Sequence, residues 1–226
     1  MASVKFRISS GLKSIIGRDL ITNDFVAIFE LVKNAFDAKA THVKVVFDLD
    51  RKETAAIYVV DNGKGMSASD VENKWLFVAY SAKKDGEEDL GERRVYAGSK
   101  GVGRFSCDRL GRKLFLQSKA RTENSVNTIR VDWGAFEKKP KKEFGSVDID
   151  YETAPAFSGR SDLSPASDKN GTVLEDLGFT SIMNTFSSLS TINWILKSPM
   201  IPIPSPSFFV YSRMVSLTFF DKLKLG

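Results

Sequence analysis

From about Leu20 to Ala38 apolar residues recur at helical spacing, with Ile21, Phe25, Ile28, Val32, Ala35 and Phe36 gathered on one side of a 3.6-residue wheel. Glu30, Asn34 and Asp37, at i, i+4 and i+7, share the other side, so this helix packs on a core and presents three polar groups. Thr22 or Asn23 would cap its start. The period then changes to two. Val43, Val45, Phe47 and Leu49 alternate as a strand, and Ile57 to Val60 form a second that runs straight into Asp61-Asn62-Gly63, which leaves Asp61 at a strand end. Ahead of the helix, Val4 to Ile8 alternates as a short strand, followed by a glycine-bounded connection from Gly11 to Gly17.

Ser67 reads as the N-cap of a short helix through about Trp75, and Asp85 to Arg94 is a charged, glycine-punctuated loop. Gly103 to Leu110 is expected to be helical, and strands are expected near Lys113–Ser118, Thr128–Trp133, Val147–Tyr151 and Thr172–Leu177. Runs of strands with helices at the start and middle predict a mostly antiparallel mixed sheet covered on one face. Lys138 to Lys142 and the Ser/Pro/Gly-rich stretch from Ala154 to Asn170 read as exposed connections. These elements form one expected domain over residues 1–178. Past Gly178, serine is frequent and four of the seven prolines cluster (Pro199, Pro202, Pro204, Pro206). Residues 179–226 are expected to hold one helix, Phe179 to Leu196, and then an irregular Ser/Pro-rich arm or non-native end from Ile201 onward.

Composition narrows the class. At 226 residues and 42% hydrophobic content the chain has the make-up of a soluble globular protein with a real core. A net charge of +5 arises from 33 basic and 28 acidic residues. That mixed balance is compatible with a polyanion such as a triphosphate, and leaves DNA open as a partner without requiring it. Cys107 is the only cysteine, which excludes an intrachain disulfide and a multi-cysteine zinc site and makes a reducing compartment, the cytoplasm, the expected location. The apolar stretch Ser207 to Phe220 is too short to span about 30 Å of hydrocarbon as a helix, and it carries Arg213, so no membrane partner is expected.

Three short runs carry the chemistry. Glu30-Leu31-Val32-Lys33-Asn34 offers a carboxylate and a carboxamide one helical turn apart. Asn34 supplies a neutral oxygen suited to a nucleotide-bound magnesium, and Glu30 on the same face can accept a proton from a water aligned on the terminal phosphorus. Asp37 is read as bracing the helix or a water network. In Asp61-Asn62-Gly63-Lys64-Gly65-Met66, the ionised Asp61 is a pure acceptor that suits an exocyclic amine such as adenine N6. Gly63 and Gly65 let backbone pass close to a flat base, and Met66 offers a polarizable contact. In Gly98-Ser99-Lys100-Gly101-Val102-Gly103-Arg104, glycines allow successive N–H groups to point at phosphates, with Lys100 and Arg104 adding charge. Each run alone is ordinary: a solvated helix face, a turn, and a glycine loop lacking both the third glycine of a dinucleotide fingerprint and the closing Lys-Ser/Thr of a Walker loop. In this order they describe a Mg-ATP site.

These residues resemble the GHKL ATPases with the Bergerat nucleotide-binding fold, a superfamily of histidine kinase-like ATPase domains. Glu30-x-x-x-Asn34-x-x-Asp37-Ala38 is similar to the family's N box, Asp61-x-Gly63-x-Gly65-Met66 to its adenine-binding box, and Gly98-x-x-Gly101-Val102-Gly103 to its lid box. Gly171-Thr172-Val173 resembles the later Gly-Thr strand, whose threonine supports the adenine-binding aspartate through water. The wording is nearer to HtpG-type chaperone, MutL and MORC ATPase domains than to histidine kinases. The resemblance implies an α/β (α+β) two-layer sandwich with ATP between helices, a flexible lid, hydrolysis rather than phosphotransfer, and an ATP-dependent homodimer. It also implies a following transducer domain that would supply a basic residue to the terminal phosphate, and residues after Gly178 do not fit one, so the expectation is either slow hydrolysis by this chain or a chain that is a fragment of a longer protein. The alternatives are a non-catalytic nucleotide-gated interaction module and a histidine-kinase-type catalytic domain. The client is not written in the site.

Overall fold

The computed structural model describes residues 21, 23–48, 55–76, 105–138, 147–165 and 169–178, together with the backbone of 207–211 and 214–220. Helix α1 spans Asp24–Asp37. Asn23 caps it: the residue is extended (φ −154°), and its side-chain oxygen accepts the Val26 N–H at 2.9 Å. The helix therefore starts later than the apolar periodicity alone suggested. It ends where Lys39 turns left-handed (φ 59°) and the Ala40 N–H returns to the Ala35 carbonyl at 3.1 Å. The buried stripe is Asp24, Ala27, Ile28, Leu31, Val32 and Ala35. Phe36, expected on that stripe, is instead 38% exposed, because it lies roughly 100° round the wheel from Ala35. Leu31 takes its place in the core.

Eight strands form one sheet among the described residues: β1 His42–Asp48, β2 Ala56–Asp61, β3 Lys113–Lys119, β4 Val126–Asp132, β5 Asp150–Ala154, β6 Gly171–Leu177, β7 Ser207–Tyr211 and β8 Met214–Phe220. Their order is β5-β4-β3-β6-β2-β1-β8-β7, and every neighbouring pair is antiparallel. Two expected strand limits move. Trp133 leaves the ladder to begin helix α4 (Trp133–Lys138), where its ring packs near Phe105 and Phe136 at 5.9 and 6.0 Å. The strand expected at Val147–Tyr151 begins only at Asp150, and Val147 and Ile149 pack against the core ahead of it.

The remaining helices are short. Ser67 and Asp70 form a capping box at the start of α2 (Ala68–Asp70), which continues as a π-helical turn over Val71–Trp75. Helix α3 spans Ser106–Leu110. One face of the sheet, with Val43, Val45, Phe47, Ile57, Val59, Leu114, Leu116, Ile129 and Val131, packs against α1, α3 and α4 as the main core. The architecture is thus an α/β sandwich with helices on one face. The opposite face carries a smaller cluster, Val46, Val60, Val173 and Leu163, with Phe157 against it.

The Ser/Pro/Gly-rich stretch after β5, expected to be a free connection, is tied onto that opposite face. Ser158 donates its N–H and hydroxyl to the Gln117 side-chain oxygen at 2.7 and 3.0 Å, and Gln117 Nε2 donates to the Ser158 carbonyl at 3.0 Å. Lys44 donates to the Asp162 carbonyl, and Arg160 pairs with Asp48. Composition hid this because, among the described residues, only Leu163, Pro165 and Asn170 of the stretch are buried. A second correction concerns the irregular arm expected past Ile201: β7 and β8 form a hairpin that extends the sheet from β1. Val215, Leu217 and Phe219 alternate along β8 and stand in register with Phe47, Val45 and Val43, so a strand signal was present behind the prolines. The strand expected at Val4–Ile8, the charged loop from Asp85, the glycine run from Gly98 to Arg104 and the helix from Phe179 lie outside the described residues. Among the described residues no helix is long and apolar enough to cross a membrane.

Gly171 opens β6 at φ +141°, where a Cβ would collide with the Asp61 carbonyl and lie 2.9 Å from Pro165 Cβ. Gly171→Ala is expected to cost about 3 kcal/mol, read as a lowered urea midpoint. An unchanged midpoint would show that β6 can be seated without this close approach.

Candidate functional site

Asp61 ends β2 on the helix-covered face and is buried. Its Oδ1 accepts the Gly63 N–H at 2.8 Å, and the Thr172 backbone N–H also bonds to the carboxylate. Burial pushes its pKa up to about 7, and these two amides pull against that rise without cancelling it. A buried carboxylate at a strand end, with no basic side chain among the causes of its shift, is suited to a ligand that donates a neutral N–H.

Gly63 joins the second run to the first. A Cβ there would lie 2.7 Å from the Ala38 carbonyl and 2.8 Å from Ala38 Cβ, and the Lys64 N–H donates to that same carbonyl at 2.8 Å. The C-terminal end of α1 and the Asp-x-Gly turn are therefore in backbone contact. Gly65 is left-handed (φ +66°) and lies against the Lys119 carbonyl with no room for a side chain. Asn62 holds the turn from outside, its oxygen accepting the Thr41 and His42 N–H groups at 2.9 Å each. Asn170 donates to the Gly63 carbonyl from the residue before β6.

Thr172 stands opposite Asp61 in the β2–β6 register. Its hydroxyl lies 3.0 Å from Ser118 Oγ, and Ser118 Oγ in turn accepts the Met66 N–H at 2.9 Å. On α1, Glu30 is half-buried with Oε1 paired to Lys33 at 2.8 Å, Asn34 is exposed one turn on, and Asp37 is half-buried. The structure thus gathers Asp61, Gly63, Gly65, Met66 and Thr172 in one place, with the end of α1 abutting them. Gly98, Lys100, Gly101, Val102, Gly103 and Arg104 lie outside the described residues.

Several polar residues here escaped the motif reading. Asp24, in the buried stripe of α1, accepts from Arg109 Nε of α3 at 2.9 Å, and so ties the helix following the glycine run to the helix bearing Glu30. A carboxylate placed on the apolar side of the wheel was the available signal. Ser118 is likewise visible as the polar end of the alternation Leu114, Leu116, Ser118.

A family profile described as "Histidine kinase-, DNA gyrase B-, and HSP90-like ATPase" matches residues 21–155, more than half of the chain. This chain belongs to that family. The match takes in both the α1 and Asp61 runs, so the GHKL resemblance and the α/β sandwich expected from it hold, and ATP binding is the family's property. Two curated proteins are similar over shorter stretches. The DNA mismatch repair protein MutL of Aquifex aeolicus (strain VF5) is 32% identical over 122 residues, which is 54% of this chain and 28% of that protein. The putative type II restriction enzyme HgiDII of Herpetosiphon aurantiacus is 30% identical over 105 residues, 46% of this chain and 16% of that protein. The matched stretches cover less than a third of either relative.

The raised pKa sets a pH signature. The native state keeps a proton on Asp61 that the unfolded chain, with the ordinary value of 3.8, has already released. The stabilisation from this group is therefore full below the unfolded value and is lost as pH rises through about 7. A carbon-detected NMR titration of the Asp61 carboxyl in nucleotide-free protein is expected to show a midpoint near 7. An ordinary carboxylate midpoint would contradict the buried, weakly compensated environment.

Proposed function

We propose that this domain binds Mg-ATP in the pocket floored by Asp61 and Thr172 and hydrolyses it slowly, with lid closure and dimerisation as its mechanical output. The observation that carries the reading is Asp61 itself: a buried acceptor, flanked by two glycines that leave no room for side chains, at the end of the helix bearing Glu30 and Asn34. Its carboxylate accepts from adenine N6, whereas the 6-oxo group of guanine would face it lone pair to lone pair. The family's ATP chemistry and the match to both runs support this assignment.

The donor set suits a magnesium ion that arrives with its nucleotide. Among the described residues no group of three His, Cys, Asp or Glu side chains could cage a metal. An ion already held by phosphates and waters needs only one or two protein oxygens, and the exposed Asn34 carboxamide provides one. Bound there, magnesium would supply charge neutralisation at the phosphates. Glu30 orients a water whose oxygen bonds to the terminal phosphorus as the bond to the bridging oxygen breaks, and its carboxylate takes up the water's proton. In this reading Lys100, Arg104 and the glycines between them close over the phosphates.

The Glu30–Lys33 ion pair favours a second reading alongside the first. With Oε1 engaged by Lys33 at 2.8 Å, the Glu30 carboxylate is less free to orient a water, and the domain would work as a nucleotide-gated interaction module whose partner surface forms on ATP binding. Both relatives are named for DNA transactions, and a DNA-linked role for the whole protein belongs to this proposal, with salt-dependent DNA binding as its check.

Calorimetry with Mg-ATP followed by phosphate-release assays separates the readings. Asp61→Asn is expected to abolish measurable binding, and ATP is expected to lower the Asp61 titration midpoint in wild type. Glu30→Ala is expected to keep binding while reducing phosphate release about 100-fold. Phosphate release unchanged in Glu30→Ala would remove Glu30 from the reaction, and ATP-dependent association equal in both proteins would favour the gated module.

A further inference from the structure

At one end of the helix-covered face of the sheet, four buried polar residues stand in a single cross-strand row, apart from the buried Asp176 toward the other end of β6. Asp61 on β2 is in register with Thr172 on β6, Thr172 with Ser118 on β3, and Ser118 with Asn127 on β4. All four are buried, Ser118 completely, so each polar atom has to be satisfied within the protein or by a ligand. Asp61 and Thr172 belong to the pocket already described. Ser118 and Asn127 continue the row one and two strands beyond β6.

Both grip Met66. Ser118 Oγ accepts the Met66 N–H at 2.9 Å, and Asn127 Nδ2 donates to the Met66 carbonyl at 3.1 Å. One residue of the Asp-x-Gly-x-Gly-Met run is thus held at both backbone polar groups by side chains from two central strands. Asn127 is itself oriented: Tyr151 donates to its oxygen at 2.7 Å, and its Nδ2 also donates to Glu123 Oε2 at 2.8 Å. Glu123 uses its second oxygen to accept the Ala68 N–H at the start of α2.

Ser118 carries a further consequence. A hydroxyl has one proton and two lone pairs. The Met66 N–H occupies one lone pair, while the Gly171 carbonyl at 3.2 Å and Thr172 Oγ1 at 3.0 Å compete for the proton. If the proton goes to Gly171, the Thr172 hydroxyl donates to Ser118 and its own lone pairs are left for other donors. If it goes to Thr172, the Thr172 proton is left to donate elsewhere. Ser118 therefore governs whether the threonine beside Asp61 offers a donor or an acceptor.

We infer that Ser118, backed by Asn127, is a positioning residue for base recognition, setting the height of the Met66 backbone and the hydrogen-bonding sense of Thr172. The inference rests on the proposed ATP pocket and deepens it: recognition of the purine 1 and 6 positions is shared between Asp61 and a relay that begins on β3.

Ser118→Ala tests it with ATP, inosine triphosphate and inorganic tripolyphosphate as probes. Inosine reverses the donor and acceptor pattern at positions 1 and 6 and keeps the triphosphate. Loss of the relay is expected to weaken ATP about tenfold and to shrink the preference for ATP over inosine triphosphate, while tripolyphosphate competition stays unchanged. A merely structural role would weaken all three probes alike. Wild-type ATP binding together with unchanged affinity and selectivity in Ser118→Ala overturns this inference and leaves the ATP pocket standing. Absence of ATP binding by wild type removes both. Should Ser118→Ala fail to fold, hydrogen exchange of wild type decides: the Met66 amide is expected to be protected without nucleotide and more so with ATP, and exchange at the rate of an exposed amide overturns the inference.

Discussion

A carboxylate buried at the end of β2 is the constraint around which this domain is arranged. Asp61 loses water on folding and receives only two backbone N–H groups in exchange, which is why its acidity falls so far. Those amides come from the turn that follows it and from a strand more than a hundred residues later, so the carboxylate can sit there only if β6 lies against β2. The close backbone approaches follow from the same demand. Gly63 must touch the end of α1, Gly65 must lie on the end of β3, and Gly171 must pass the Asp61 carbonyl.

The helices are bound to this arrangement through buried polar contacts. Asp24 at the head of α1 holds Arg109 of α3, and α3 directly follows the glycine run read as the phosphate loop. Beneath it the Cys107 thiol bonds to Asp176 on β6, and burial raises the pKa of both. Cys107 is thus kept as a thiol by burial beside the Asp176 and Asp108 carboxyls, a packing role rather than a reactive one. Position at the start of α3 is therefore coupled to α1 on one side and to the strand bearing Thr172 on the other. That link gives the Asp61 end of the sheet and the start of α3 a shared mechanical frame.

Family membership rests on a profile match that ends at residue 155, whereas Thr172 lies beyond it. Its place beside Asp61 comes from strand pairing. The matched stretches are also a small share of the two relatives, so the match carries over none of their activities as whole proteins.

Local sequence determined a good deal. Helical spacing placed α1, alternation placed β1, β2, β3 and β6, Ser67 marked the start of α2, and the glycine pattern after Asp61 announced a turn against which something flat could lie. These are short-range properties, set by periodicity and by the φ values that glycine alone takes readily. Phe36, Trp133 and the β7–β8 hairpin went otherwise, because exposure, strand exit and edge pairing depend on what each segment meets. Only the tertiary structure decided that Asp61, Thr172, Ser118 and Asn127 form one row. Strand order β4-β3-β6-β2 is a non-local choice, and a serine or asparagine at the end of an apolar alternation becomes part of a site only when that order brings its neighbours alongside.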